Sequence, residues 1–506
     1  MKRTFQYFAL FILILKFSLS NAQGGFRSRI YLPGSVTHVS KAIFEKSDGT
    51  YIAAGISLDT VNGVYFNRLV LMGLDAKGNL NWFKKYGSKH SEILENPLTT
   101  RSFFRAGDFL YLTSSIVENS TYQTTLFKFD LNGDSIWQRK YSMQGIDLIG
   151  QMGSTSVDGG FLLTGFAQNT VNSTSPCFVL KTDSDGQELW RKLLNKTTPN
   201  VSDGKSICQD STSKKIVIVG YQYNVPVNSI DNILILDSLG NQLTQHSYEN
   251  ESISVLYDLV QAKKNEFIAI GSGGVSNGFG KPKLSNATVS RFHLDSVVKP
   301  MWRVMIDKPT SSNHNQCVDQ HSNGDLLIGG LIDSSSNVLV AHSRFSRLNA
   351  SGNILWRKYY YYGALDSTTS AFTIASLKTL KSGGWIASFK MRLTVPNNPF
   401  FFVKYDSTGC DTTEYYCKTV GLNEHVLAGT LIYPSPVNDR LNIELPIVSN
   451  VDVIITNIIG QEVKTERIIG QIDYQINMAD LPGGIYVVSL RQGKNNVFQK
   501  KVVKIN

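Results

Sequence analysis

Cysteine is scarce in this 506-residue chain: there are five, none in a C-x-x-C pair and none spaced with histidine as a ligand set, so no cysteine-based zinc site can be nominated. Histidine is thin as well, with eight residues spread from His38 to His425 and no HExxH. Spacing alone therefore supports neither a zinc hydrolase nor a catalytic triad. Beyond residue 22 no apolar run reaches the roughly 20 residues that a membrane-crossing helix needs, so no transmembrane segment is expected in the mature chain. Nor does any stretch carry apolar residues at helical period, which argues against a helical architecture. Basic residues exceed acidic ones by 50 to 40, but they are scattered, whereas a nucleic-acid binder carries a basic stripe interleaved with stacking aromatics. Nucleic acid is therefore not an expected partner, and no catalytic residue, cofactor or metal ligand is nominated.

What is present begins at the N-terminus. Lys2 and Arg3 precede an apolar run from Phe8 to Leu15, followed by Ser20-Asn21-Ala22, the pattern of a secretory signal peptide over residues 1–22 with a mature chain from Gln23. Export places the cysteines in an oxidising compartment. Cys410 and Cys417, in GCDTTEYYC, are close enough for a local disulfide, while Cys177, Cys208 and Cys317 fall inside apolar runs and read as buried thiols.

The dominant feature is repetition. LDAKGNLNW from Leu74, FDLNGDSIW from Phe129, TDSDGQELW from Thr182 and LNASGNILW from Leu348 share an Asp or Asn, a Gly three positions later and a Trp four positions after that. LDSVVKPMW from Leu294 keeps the Asp and Trp, while LDSLGNQLT from Leu236 and YDSTGCDTT from Tyr405 have Thr244 and Thr413 at the Trp position. Upstream of each lies a hairpin whose second strand often ends in Gly, as in KSDGTYIAAG, SVDGGFLLTG and KKNEFIAIG. Seven units of two hairpins with alternating apolar side chains predict an all-β fold, a seven-bladed β-propeller over residues 23–417. Phe26 to Leu32 reads as a fourth strand that arrives ahead of its own blade, and it is expected to pair with the seventh blade and lock the ring.

The repeated turn is weighed against chemistry. The sialidase Asp box has other spacings and fails at every copy; the quinoprotein tryptophan-docking repeat is closer, yet Asp75, Asp130 and Asp183 are each one residue nearer their Gly. The turns at Asp130 and Asp183 also lack the bidentate Glu that completes a calcium loop. Asp is expected to accept backbone amides, Gly to adopt positive φ, and Trp to pack on the neighbouring blade. Tyr359 to Tyr362 could offer rings to a sugar, but strand alternation predicts every second ring to be packed.

After a linker-like stretch at 418–430 the pattern changes to a small β domain at 431–506. Tyr433-Pro434-Ser435-Pro436, Leu441 and Ile443, Asn457 to Gly460-Gln461, Leu481 to Tyr486 through Gly484, and the basic Lys500, Lys501 and Lys504 occur in that order. In these residues the domain resembles the type A C-terminal sorting domain of the type IX secretion system, with Ser435 where the family usually has Asn. The resemblance implies an Ig-like β-sandwich, passage through the periplasm, recognition by the type IX secretion machinery, release or attachment at the cell surface, and an origin in Bacteroidota. Two function classes follow: a surface binding or adhesion module with a glycan or protein ligand at the propeller rim, or a secreted propeller enzyme, a glycan hydrolase or lyase rather than a quinoprotein.

Overall fold

The computed structural model describes residues 25–87, 92–94, 102–118, 121–169, 174–194, 201–224, 228–248, 253–276, 282–295, 299–306, 313–333, 341–360, 371–392, 398–407, 409–410, 430–492 and 495–505. The expected signal peptide over 1–22, Tyr361, Tyr362, Cys417 and the expected linker up to 429 lie outside these residues. All regular structure among the described residues is β.

The first blade pairs Ser35–Glu45, Tyr51–Val61, Val64–Leu74 and Leu80–Tyr86 in sequence order. The third (Asp147–Thr155, Phe161–Gln168, Cys177–Thr182, Glu188–Leu194), fourth (Val201–Gln209 to Gln242–His246), fifth (Ile253–Lys263 to Trp302–Met305) and sixth (Asn313–Gln320 to Ile354–Tyr360) repeat that order. In the second blade the first strand comes in two pieces, Glu92–Leu94 and Phe103–Ala106, both on Phe109–Glu118. The seventh blade takes three strands from residues 371–405 and its fourth, Phe26–Ile30, from the N-terminus, antiparallel to Phe400–Tyr405 with Phe26 opposite Lys404. The expected closure is thus observed.

The hydrophobic core is distributed rather than central. Seven buried layers lie between consecutive blades, for example Ile52 and Leu71 of the first against Leu110 and Phe127 of the second. The seventh layer joins Phe400 and Phe402 to Ile43 and Met72 of the first blade. First strands touch first strands all the way round, the seventh meeting the first. A four-stranded antiparallel sheet this apolar on both faces cannot stand alone in water, and ring closure leaves no uncovered face. The molecule is a seven-bladed β-propeller followed by a β-sandwich.

The sandwich is built from Leu431–Tyr433, Arg440–Asn457, Glu462–Asn477, Gly484–Gln492 and Asn495–Lys504. Its long second strand pairs with Leu431–Tyr433 through residues 442–444 and with Gly484–Gln492 through 452–457. One strand thereby serves both layers. Its core, including Leu441, Val453, Ile476, Val488 and Val502, draws only on residues of this unit, as expected of a domain that folds by itself.

Candidate functional site

The repeated turn is a device for joining blades. Asp75 Oδ1 accepts the amides of Lys77 and Asn79, both at 2.8 Å, and Asp183 Oδ1 those of Asp185 and Gln187 at 2.9 and 2.8 Å. These oxygens are spent on the turn, as expected. The Gly then adopts a φ of +82° at Gly78 and +76° at Gly186. Its bare face receives the Trp of the preceding blade: a Cβ on Gly133 would stand 2.6 Å from Trp82, on Gly186 2.9 Å from Trp137, on Gly240 2.6 Å from Trp190, and on Gly352 2.8 Å from Trp302. Four residues beyond the Trp, Tyr141 donates its hydroxyl to Gly186 O at 2.7 Å and Tyr360 to Gly409 O at 2.6 Å. Where the Trp is missing, at Thr244, the next turn, from Asp295, has no Gly to receive it. At the ring's seam Phe26 takes the Trp's place against Gly78, and Ser28 Oγ bonds Gly78 O.

The second repeated glycine has a different cause. Among the described residues the first strands of six blades carry a β-bulge, between Ser40 and Ala42, Gly150 and Met152, Gly204 and Ser206, Leu256 and Asp258, Asn315 and Cys317, and Ile374 and Ser376. In five of them the residue opposite is the strand-ending glycine: Gly55, Gly165, Gly220, Gly271 or Gly330. The bulge leans a carbonyl over the place where a Cβ would stand, so only Gly fits. Each bulge inserts one residue into the innermost strand: Lys41, Gln151, Lys205, Tyr257, Gln316 and Ala375. Sequence reasoning noticed the glycines and missed the bulges, because the constraint sits on the paired strand.

These innermost polar groups are tied to one another. Lys205 Nζ lies 2.7 Å from Asp203 Oδ2 and 2.8 Å from Gln151 Oε1 of the preceding blade, and Gln151 Nε2 donates to Asp203 Oδ2 at 2.7 Å. All three are at least 95% buried; Gln151 bridges the ion pair across the two blades, while Asp203 Oδ1 accepts no hydrogen bond. Asp258 accepts the Val318 amide across the fifth and sixth blades at 3.0 Å, and Asp319 holds Thr379 N and Lys378 across the sixth and seventh. The carboxylates of the inner strands act here as blade-to-blade fasteners. Among the described residues no group of three or more His, Cys, Asp or Glu side chains is arranged to hold a metal ion.

The remaining nominated side chains divide cleanly. Cys177 and Cys317 are buried, as expected, and burial pushes the Cys177 thiol up to about 12. Cys208 is half-buried; Cys410 is a free thiol, its expected partner Cys417 lying outside the described residues. Tyr360 is packed. Tyr359 instead reaches the sandwich, donating to Glu444 Oε1 at 3.2 Å, and its phenol is pushed up to about 12, chiefly by burial.

In the sandwich, Leu441 is fully buried and Tyr486 nearly so, its hydroxyl donating to Pro482 O at 2.8 Å. The Asn457–Gly460 turn repeats the propeller's chemistry: Asn457 Oδ1 accepts Ile459 N and Gln461 N, and Gly460 has a φ of +83°. Pro434 and Pro436 both follow cis peptide bonds, and Tyr433 is half exposed. Gly484 pairs with Lys504 at the start of the penultimate strand. The three lysines do not form one exposed cluster. Lys504 is buried, Lys500 Nζ bonds Ile432 O at 2.8 Å and burial holds its pKa down, and Lys501 is exposed on the alternate position. The expectation of exposed charges holds for Lys500 and Lys501 and is corrected for Lys504 alone, which alternation along the last strand puts on the face shared with Val502.

Residues 431–504 match the secretion system C-terminal sorting domain family. No curated protein matches the chain by sequence. Similar solved structures include a protein of unknown function from Dyadobacter fermentans, 12% identical over 75% of this chain and 98% of that one, with a TM-score of 0.42. The β-propeller domain of the trilobed protease from Pyrococcus furiosus is 10% identical, over 77% and 99%, with a TM-score of 0.41. An α-L-arabinofuranosidase from Fusarium graminearum is 10% identical, over 76% and 97%, with a TM-score of 0.36. The C-terminal unit of this chain is a type IX secretion sorting domain, and it directs the β-propeller that precedes it to the cell surface or beyond.

Proposed function

We propose that the chain is a secreted, surface-displayed binding module, made with a signal peptide at residues 1–22, in which the propeller at 23–417 holds a glycan or protein ligand at its rim and the domain at 431–506 provides delivery. The observation that carries this reading is the fate of the inner-strand carboxylates. Asp258 and Asp319, and Asp203 through its Oδ2, are buried or part-buried in bonds between blades, whereas general acid–base or nucleophilic work needs such groups free to face a substrate. A ring fastened in this way is a rigid frame, and a rigid frame presenting loops suits recognition. The test is a glycan array and a surface-protein binding screen with the full mature chain, each run alongside an assay for released sugar. Saturable binding without turnover supports the module. Cleavage of a bound glycan replaces it with the hydrolase or lyase reading.

A further inference from the structure

Of the sorting domain's characteristic residues, Leu441, Tyr486 and Lys504 are buried and hold its own fold, and Gly460 supplies a positive φ, while Tyr433, Pro434, Pro436, Lys500 and Lys501 are exposed. The most exposed large apolar side chains described in the domain are Ile458 and Ile459, 76% and 80% exposed at the hairpin tip between Arg440–Asn457 and Glu462–Asn477. Asn457 stands opposite Tyr486 and Thr456 opposite Glu462, so the neighbouring Ile485 and Val463, 40% and 36% exposed, border that tip.

The turn itself does not ask for isoleucine. Its geometry rests on Asn457 and Gly460, and the same turn elsewhere in the chain carries Ala76-Lys77, Leu131-Asn132, Ser184-Asp185, Ser238-Leu239 and Ala350-Ser351 at the two middle positions. Each of those pairs includes a polar residue. The sorting domain alone puts two large β-branched apolar side chains there, where water solvates them at a cost. The tip follows the far end of the strand from Glu444, which touches Tyr359 of the sixth blade.

We propose that Ile458 and Ile459, bordered by Val463 and Ile485, form the docking element that inserts into an apolar pocket of a protein of the secretion machinery. The inference rests on the sorting-domain reading and names the surface that is read. The test uses the full chain in a host with a working type IX system. A variant carrying Ile458→Ser and Ile459→Ser keeps its thermal midpoint, because both side chains are exposed, while its surface fraction falls about ten-fold or more and periplasmic material accumulates. Ile458→Leu with Ile459→Leu restores delivery, which a mere requirement for β-branched turn residues would not allow. Wild-type delivery of the folded double-serine variant overturns the proposal. So does a wild-type chain that is dimeric by light scattering while the serine variant is monomeric, since the tip would then join two copies. A chain lacking 431–506 that still reaches the surface overturns the sorting reading itself.

Discussion

Trp137 of the second blade is seated on Gly186 of the third, the indole occupying the space where a Cβ would stand 2.9 Å away. Tyr141 completes the joint by donating to the carbonyl of the same glycine. One turn residue thus serves both partners, and it can do so only because it has no side chain and a φ of +76°.

Gly186→Ala is therefore expected to destabilise the propeller by about 2 kcal/mol or more, from the left-handed backbone and the displaced indole together. Trp137→Ala should cost about 3 kcal/mol. The double variant should cost less than the sum, because each change has already opened the same joint. Equilibrium denaturation of the three proteins measures the coupling. Strict additivity would show that the two residues do not share a contact.

Closure of the ring depends on a strand that the chain makes first. Phe401 N donates to Ser40 Oγ at 2.7 Å across a separation of 361 positions, and Phe26 packs with Tyr51 at a ring separation of 5.2 Å. Ser28→Pro removes the Oγ bond to Gly78 O and puts a ring into a short paired strand, and should release Phe26–Ile30. Hydrogen exchange would then show protection lost along Phe400–Tyr405 before it is lost in the third and fourth blades. Unchanged protection there would mean the seventh blade stands without its fourth strand.

His38 fastens the same seam, with a consequence for pH. Its Nε2 accepts the Leu32 amide at 3.1 Å and its Nδ1 faces Asn398 O at 2.8 Å, so the ring is neutral with its proton on Nδ1. Burial lowers its pKa, with nearby Lys85 adding to the effect and the Asn398 carbonyl and Asp59 opposing it. A histidine whose folded pKa is depressed stabilises the fold above its unfolded value, about 6.5, and that contribution is lost as pH falls below it. The thermal midpoint is expected to drop on acidification from about pH 7 to 5, and His38→Gln should flatten the drop in that window. An equal slope in the variant would assign the effect to other groups.

The last strand separates stability from delivery. Lys504→Ala removes a buried amphipathic stem and should lower the midpoint, and Lys500→Ala, which breaks the bond to Ile432 O, should do so to a smaller degree. Lys501→Ala should stay within about 0.5 kcal/mol of wild type. If surface fractionation shows Lys501→Ala alone impairing export, that lysine is read directly. Equal export of all three folded variants would confine the lysines to a structural part.

The sandwich has its own core, so residues 418–506 fused to an unrelated folded protein are expected to carry it to the surface, and truncation at Val420 to leave a folded propeller in the periplasm. Cell fractionation decides both. Failure of the fusion in a competent host would mean that the propeller contributes to recognition, and the Tyr359–Glu444 contact would be the first place to look.

Much of this architecture is written locally. Alternation, the Asp-x-x-Gly turn and the order of hairpins within each unit are set by residues a few positions apart, so the blade count, the early fourth strand at Phe26 and the sorting domain were all legible in the chain. What tertiary structure decided lies between units. Trp137 and Gly186 are 49 positions apart in sequence, and nothing near either names the other. Gly220 is required by a carbonyl on the opposite strand, Asp203 and Gln151 become a buried knot only when two blades meet, and Lys504 turns inward because the last strand's register puts it opposite Gly484. Periodicity states which face a residue occupies; only closure of the ring and the sandwich states what that face meets.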